Sequence, residues 1–282
     1  MAISNIDLHL HTNFSDGIST PEEVVNNAEE LKLAAIALTD HDTIEGCPRV
    51  AKACIERGIE FITGTELSVD IDGHEMHLLG YFVDTENDAL FRETCRYQKN
   101  RTDRVFDFVW RLNSLGVPLR SEHVFNLAKC KAPGRPHIAR ALVEQRFCSS
   151  MDEAFSRYLR KSAPAWVPKV NANFEDAIRL IHQAGGLAVM AHPGLNKIDS
   201  LIPEMVRAGL DGIECWHSRH PKSTAKRYRD MARRLDLLMT GGSDCHGPTN
   251  GNLPIIGTVP VPFDILNAMK QRLPRDAQSC QA

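Results

Sequence analysis

The segment IDLHLHTNFSDG places Asp7, His9, His11 and Asp16 within ten residues. Histidine is the commonest protein metal ligand, and two imidazoles at i and i+2 form a natural chelate. On an extended strand Asp7, His9 and His11 share one face while Ile6, Leu8 and Leu10 share the other. The apolar face can pack; the polar face is left for chemistry.

Further candidates sit just past short apolar runs. AAIALTDHD ends at Asp40 and His41, GLAVMAHPG reaches His192, and LLMTGGSDCHG reaches Asp244 and His246. The segment ELSVDIDGHEMHLLGY carries Asp72-Gly73, a strong signal for a two-residue hairpin turn. That turn pairs Ser68 with His77 and Glu66 with Leu79, so Glu66 and His77 become diagonal neighbours on one face, about 7–8 Å apart. His74 points to the other face and is expected to be a surface histidine. Imidazole and carboxylate without thiolate suit manganese, iron or zinc, and a carboxylate such as Glu66 can bridge two ions. Cys245 alternates away from Asp244 and His246 and is excluded as a ligand.

These residues need elements to carry them. Apolar runs alternate with amphipathic segments, the pattern of repeated βα units, with strands expected at 5–11, 34–39, 60–71, 74–83, 187–191, 211–216, 237–240 and 255–259. Helix punctuation is ordinary: STPEEVVNNAEELK offers Ser19 or Thr20 as N-cap before Pro21, and NANFEDAIRLIHQAGG closes on Gly185 and Gly186. In a parallel α/β barrel the strand C-termini meet on one rim, where active sites are built. Between about 88 and 165 the alternation gives way to a helical, arginine-rich stretch, expected to be an inserted cap; its alternative is a pair of long barrel helices.

The chain has 282 residues, enough for one large barrel or two ordinary domains, and its net charge of −3 lacks the basic field that duplex DNA binding demands. Eight cysteines (47, 54, 95, 130, 148, 215, 245 and 280) are scattered singly, as in reduced cytoplasmic proteins. No leader and no membrane-length apolar run is evident, so the chain reads as complete and cytoplasmic, with no membrane association and no obligate protein partner.

The motifs DLHLHTNFSDG, LTDHDT, GTELS, HLLGY, GRPHIA, AHPG and GGSDCHG together resemble the polymerase and histidinol phosphatase (PHP) family, over nearly the whole chain. The basic insertion and GRPHIA are similar to its branch of bacterial 3′,5′-nucleoside bisphosphate phosphatases, a branch also associated with trimming short RNA from the 5′ end. The resemblance implies an α/β fold of the amidohydrolase superfamily, a distorted seven-stranded (β/α) barrel over 1–98 and 165–282 with a small helical cap domain inserted at 99–164. It implies three metal ions, manganese foremost, with zinc, iron or cobalt as substitutes. His9, His11, Glu66 and Asp244 would hold the first, Asp16, His41 and His246 the second, and Glu66, His77 and His192 the third. Asp16 stands where some members carry histidine. Asp7 would orient a ligand histidine.

The expected reaction is hydrolysis of a phosphate monoester, with Asp244, His246, Arg135 and His137 as catalytic groups. Arg135 offers a planar fork to phosphate and His137 a proton donor for the leaving oxygen. Arg101, Thr102, Arg104 and Lys131 would join them in gripping a substrate with two phosphates, or a short single-stranded RNA. Phe106, Phe108 and Trp110 are expected to pack the cap's core, and Glu214, His217 and His220 to reach the rim without ligating metal. Competing readings are a histidinol-phosphate phosphatase, a metal-dependent amidohydrolase or deaminase, and a non-catalytic nucleotide-binding module.

Overall fold

Strand and helix alternate as the apolar runs demand, but most strands are short. The computed structural model describes residues 5–248 and 252–274, which leaves Cys280 outside the described residues. The strands are β1 (Asn5–Asp7), β2 (Ala35–Ala37), β3 (Glu60–Ile62), β4 (Gly64–Ile71), β5 (His74–Tyr81), β6 (Ala172–Asn173), β7 (Leu187–Met190), β8 (Gly212–His217), β9 (Leu238–Gly242) and β10 (Val261–Pro262). They form two sheets, a four-stranded one in the order β10-β1-β2-β3 and a six-stranded one in the order β6-β4-β5-β7-β8-β9. The expected seven-stranded barrel is therefore not what the described residues form, since no continuous ladder closes the two sheets into one.

The sheets nevertheless touch along both flanks, where the chain just past β1 and β2 meets the six-stranded sheet. On one side Leu8 N donates to Gly241 O, Asp244 N to His9 O and His11 N to Cys245 O. On the other, Glu66 N donates to Asp40 O and Asp42 N to Glu66 O. His9, His11 and Asp244 stand at the first seam and His41 and Glu66 at the second, whereas His77 belongs to β5 and His192 follows β7, both within the six-stranded sheet. The expected strand 60–71 divides at Thr63 because β3 pairs with β2 and β4 with β5, so the chain changes sheets there. Gly64 permits the change: a Cβ would lie 2.7 Å from Leu38 O and 2.8 Å from Gly80 O. The expected strand 255–259 is absent because Gly257 turns the chain at φ +70°; the strand comes later, as β10 antiparallel to β1. The expected strand 5–11 pairs in a ladder only to Asp7, after which the chain serves the seam.

The β4–β5 hairpin has the expected register, Ser68 opposite His77 and Glu66 opposite Leu79. Asp72 and Gly73 both have positive φ, which a type I′ turn requires. Helix α1 (Pro21–Glu30) starts with Thr20 and Glu23 in a reciprocal capping box. Helix α2 (Cys47–Arg57) ends on left-handed Gly58.

Helix α3 (Asp88–Ser114) has 27 residues and runs about 40 Å at 1.5 Å per residue. It passes uninterrupted through the expected boundary at residue 99. Leu90 and Tyr97 pack with the six-stranded sheet, whereas Val105, Phe108, Val109 and Leu112 join a separate apolar cluster. That cluster includes residues of α4 (Ser121–Ala128) and α5 (Arg135–Glu144). Among the three aromatics expected in it, only Phe108 is buried; Phe106 and Trp110 are 50% and 70% exposed, because i±2 from a buried position faces the opposite side of a helix.

Candidate active site

Glu66, buried mid-strand on β4, is the hub. Its Oε1 lies 2.8 Å from His77 Nδ1 and 3.0 Å from His192 Nε2. Its Oε2 lies 3.0 Å from His41 Nδ1, 3.2 Å from His11 Nε2 and 3.4 Å from His9 Nε2. Asp244 Oδ1 closes the group from the other seam, 3.4 Å from His9 Nε2 and 3.2 Å from His11 Nε2. Asp16 Oδ1 lies 3.1 Å from His246 Nε2, and Asp16 Oδ2 lies 3.9 Å from His41 Nε2. Four sets of ligand atoms thus converge: His9, His11, Glu66 and Asp244; His11, Asp16, His41 and His246; His41, Glu66 and His77; and, against the expectation that Glu214 and His217 stand outside the metal set, His9, Glu214 and His217. His192 borders the third set through Glu66 and through its ring, 5.3 Å from that of His77.

The donor set suits cations. His9 Nε2, His11 Nε2, Asp16 Oδ1, His41 Nδ1, Glu66 Oε2 and His77 Nδ1 are buried without a hydrogen-bond partner, although each lies near a group of suitable type. Buried polar atoms left unpaired are costly. Close approach without hydrogen-bond geometry is what ligands converging on a metal would have. Protonation follows the same electrostatics. Burial works against ionisation of Glu66, yet His41, His77 and His9 outweigh it and hold the carboxyl well below the usual range. Burial, helped by the His11 ring, outweighs Glu66 and Asp16 and drives His41 down to about 4, so it is a neutral, ligand-competent imidazole. For His246 burial is outweighed by Asp16 and Asp244, which raise it to about 10.

Backbone strain marks the same places. His192 and Asp244 adopt φ of +29° and +56°, rare for residues with a Cβ. Gly242 lets the seam close: a Cβ there would meet His9 N at 2.3 Å.

A surrounding shell fixes the ligands. Glu214 Oε1 accepts from His9 Nδ1 at 2.9 Å, while Glu214 Oε2 accepts from His192 N at 2.7 Å. One carboxylate therefore orients two candidate ligands, a role expected of Asp7. Asp7 instead accepts backbone N–H groups, from Ser243 at 2.9 Å, Gly257 at 2.8 Å and His9 at 3.3 Å, so it fixes the chain rather than an imidazole. Asp40 accepts from Thr12 N, Thr12 Oγ1 and Ser15 Oγ and shapes the loop between His11 and Asp16. His217 Nε2 lies 3.2 Å from Asp244 Oδ2, and His220 bridges Cys215 O and Gly194 N. His74 is exposed, as expected.

Beside Asp16, His41 and His77 opens a cavity of about 120 Å³ lined also by Arg101, Arg104, Arg135 and Lys169. Arg101 is buried, its Nε 2.6 Å from Asp42 Oδ2. Asp42 also accepts from Ser68 N at 2.8 Å and Ser68 Oγ at 3.0 Å, tying α3 to the hairpin. Arg104 donates to Val167 O and, like Arg135, rests 5.1 Å from the Trp166 ring. Neither has a carboxylate within 4.0 Å among the described residues, so both guanidiniums are available to an anion. Burial, reinforced by neighbouring cations, lowers Arg104 to about 10 and Lys169 to about 8. An oxyanion would relieve that crowding of positive charge.

Three of the expected substrate residues are elsewhere. Lys131 is 70% exposed and paired with Glu45 at 2.6 Å, and Thr102 does not line the cavity. His137 is buried, and its Nδ1 accepts from Gly134 N at 3.0 Å, capping the start of α5. Burial pushes it down to about 4, so it caps the helix as a neutral ring and is not placed as an acid. Asp42 and Lys169 escaped sequence reasoning. Asp42 stands in the DHD triplet beside His41, which was a usable signal; Lys169 in VPKVNANF carried none.

The comparisons agree with this geometry. The PHP domain model matches residues 7–186. A 3′,5′-nucleoside bisphosphate phosphatase of Chromobacterium violaceum is 34% identical over 268 residues, 92% of this chain and 93% of that protein. A 5′-3′ exoribonuclease of Escherichia coli is 31% identical over 86% of this chain and 85% of its own. Among solved structures, a Bifidobacterium adolescentis protein assigned as a metal-dependent phosphoesterase has a TM-score of 0.87 and 32% identity, covering 95% of this chain and 96% of that one. A Chromobacterium violaceum amidohydrolase, solved with sulfate and no metal, has a TM-score of 0.86 and 32% identity over 98% of this chain and 99% of its own. With a family match over more than half its length, full-length relatives and a ligand cluster of the metal-binding kind, the chain belongs to the PHP domain family and is a metal-dependent phosphoesterase.

Proposed function

We propose that the protein hydrolyses the 3′-phosphate of nucleoside 3′,5′-bisphosphates, releasing phosphate and the nucleoside 5′-monophosphate. The observation that carries this reading is the anion-sized cavity in which Arg104, Arg135 and Lys169 face Asp16, His41 and His77. A substrate with two phosphates needs one anion site at the metal centre and another beside it.

His9, His11, Glu66 and Asp244 would hold one ion, Asp16, His41 and His246 a second, and Glu66, His77 and His192 a third, manganese being the proposed metal. Such ions supply an activated water and positive charge against the phosphoryl oxygens. The chain's own groups do the rest. Arg135 and Arg104 fork onto phosphate oxygens, and Lys169 adds a point charge. Trp166 props both guanidiniums, and Asp42 holds Arg101 and Lys169 against the hairpin that carries Glu66 and His77. In this reading segment 99–164 acts as a cap, delivering Arg101, Arg104 and Arg135 to the two-sheet body. The unpaired cysteines among the described residues suit a cytoplasmic enzyme. A second reading, removal of nucleotides from the 5′ end of short RNA, is favoured by the similarity to 5′-3′ exoribonucleases.

The test is phosphate release from adenosine 3′,5′-bisphosphate by manganese-loaded protein, beside histidinol phosphate and a 5′-phosphorylated oligoribonucleotide, with His192→Ala as control. Release of the 3′-phosphate, lost in the variant, is the expected result. A metal-replete protein that released nothing from any of the three would overturn the proposal and favour nitrogen substrates of the amidohydrolase type.

A further inference from the structure

Cys130 and Arg140 do not line the phosphate cavity, yet they bring the cap segment onto the loop that bears Asp16. Two successive carbonyls of that loop accept from them: Ser15 O from Cys130 Sγ at 3.0 Å and Asp16 O from Arg140 Nη2 at 2.7 Å. Gly134, at the head of α5, lets the surfaces meet, since a Cβ there would lie 3.3 Å from Arg101 Nη1 and 3.9 Å from Asp16 Oδ2. Arg140 is half-buried, and no carboxylate oxygen lies within 4.0 Å of its guanidinium among the described residues.

A half-buried guanidinium that donates to a main-chain carbonyl instead of a carboxylate fixes backbone rather than neutralising charge, and charged donors make the stronger hydrogen bonds. The backbone it fixes is that of one candidate ligand, since Asp16 belongs with His11, His41 and His246. On the body side Asp40 anchors the same loop only as far as Ser15, through Thr12 and the Ser15 hydroxyl. Beyond it the Asp16 peptide rests on the cap. We propose that Arg140 is a positioning residue for the second metal ion: by holding the Asp16 carbonyl it aims the Asp16 carboxylate, and the cap thereby becomes part of that metal site. Groups that orient a metal ligand in this way are worth about 10- to 100-fold in metal affinity. The inference rests on the three-ion reading above.

The test is a calorimetric manganese titration of the chelator-stripped protein, comparing native with Arg140→Ala and Asp16→Ala. Native protein should take up three ions; Arg140→Ala should weaken one of them by about 10- to 100-fold and leave two unchanged. Arg140→Met keeps the packing of the long side chain without its donor, should give the same result, and serves if Arg140→Ala does not fold. Arg140→Lys keeps a charged donor and should regain most of the loss. In an Asp16→Ala background, which lacks the second ion, Arg140→Met should weaken nothing further, because the residue acts through Asp16. A merely structural arginine would lower the Tm of stripped and loaded protein alike and leave the isotherm unchanged; that result, or equal weakening of all three ions, overturns the proposal. Native protein that binds fewer than three ions removes the three-ion reading itself, whereas three ions of which the variants weaken none remove the role of Arg140 alone.

Discussion

The ligand cluster and the cationic cavity lie side by side, share Asp16, His41 and His77, and are built in different ways. The cluster draws its groups from strand ends and seams, held by backbone hydrogen bonds between the two sheets. The cavity draws Arg101 and Arg104 from one helix, Arg135 from the start of another and Lys169 from a loop, and holds them through Asp42, Trp166 and Val167 O. Of the ligands expected from the sequence only Glu66 and His77 lie within strands, and His9, His11, His41 and Asp244 are tied to the sheets by backbone hydrogen bonds just past strand ends. The cavity depends instead on side-chain props.

This contrast predicts a graded series of effects. Glu66→Gln should be the most severe substitution, because one carboxylate meets five imidazoles; bound metal should fall and kcat drop by a factor of roughly 10³ or more. Chelation of the native protein should lower its Tm by roughly ten degrees, as expected for removing a ligand held near a thousand times its Kd. Equal damage from Glu66→Gln and from a cavity substitution would erase the distinction between the two regions.

Arg135→Ala should raise KM or lower kcat/KM about 30- to 100-fold with metal content unchanged, as for loss of a charged hydrogen bond in a buried site. Glu214→Gln tests the shell instead: it frees the orientation of His9 and His192, and metal affinity should weaken by roughly 10- to 100-fold in a titration. If Arg135→Ala also stripped metal, the cavity would be a structural extension of the cluster.

The pH dependence separates the regions further. Lys169, lowered to about 8, carries its charge below that pH and loses it above, so KM for an anionic substrate should climb as pH passes 8. Lys169→Arg keeps the charge and should flatten that alkaline limb; a limb that persists would assign it to another group. The smallest effect is expected at Lys131→Ala, less than about twofold in kcat/KM, because an exposed pair with Glu45 contributes little and lies outside the cavity.

Legibility in the sequence follows the same division. His9 and His11 share a face because side chains alternate along extended chain, and Glu66 and His77 meet because Asp72-Gly73 fixes the hairpin register. Such local rules hold whatever the rest of the chain does. Arg101 and Lys131 look alike in sequence, two cations in one basic segment; only packing buries the first against Asp42 and leaves the second 70% exposed. His137 follows Arg135 by two residues as a phosphate-binding pair would, yet the helix start claims its ring as a cap. Lys169 has no signature, because its role comes from contacts with residues about a hundred positions away.

Local chemistry thus sets which side chains can bind metal, where strands end and how the hairpin registers, since those depend on neighbours within a few residues. The division into two sheets, the replacement of Asp7 by Glu214 as the orienting carboxylate, and the choice of which cations face the site were decided only in three dimensions. Each depends on burial and on the distance between charges from remote segments, and neither quantity exists until the chain is packed.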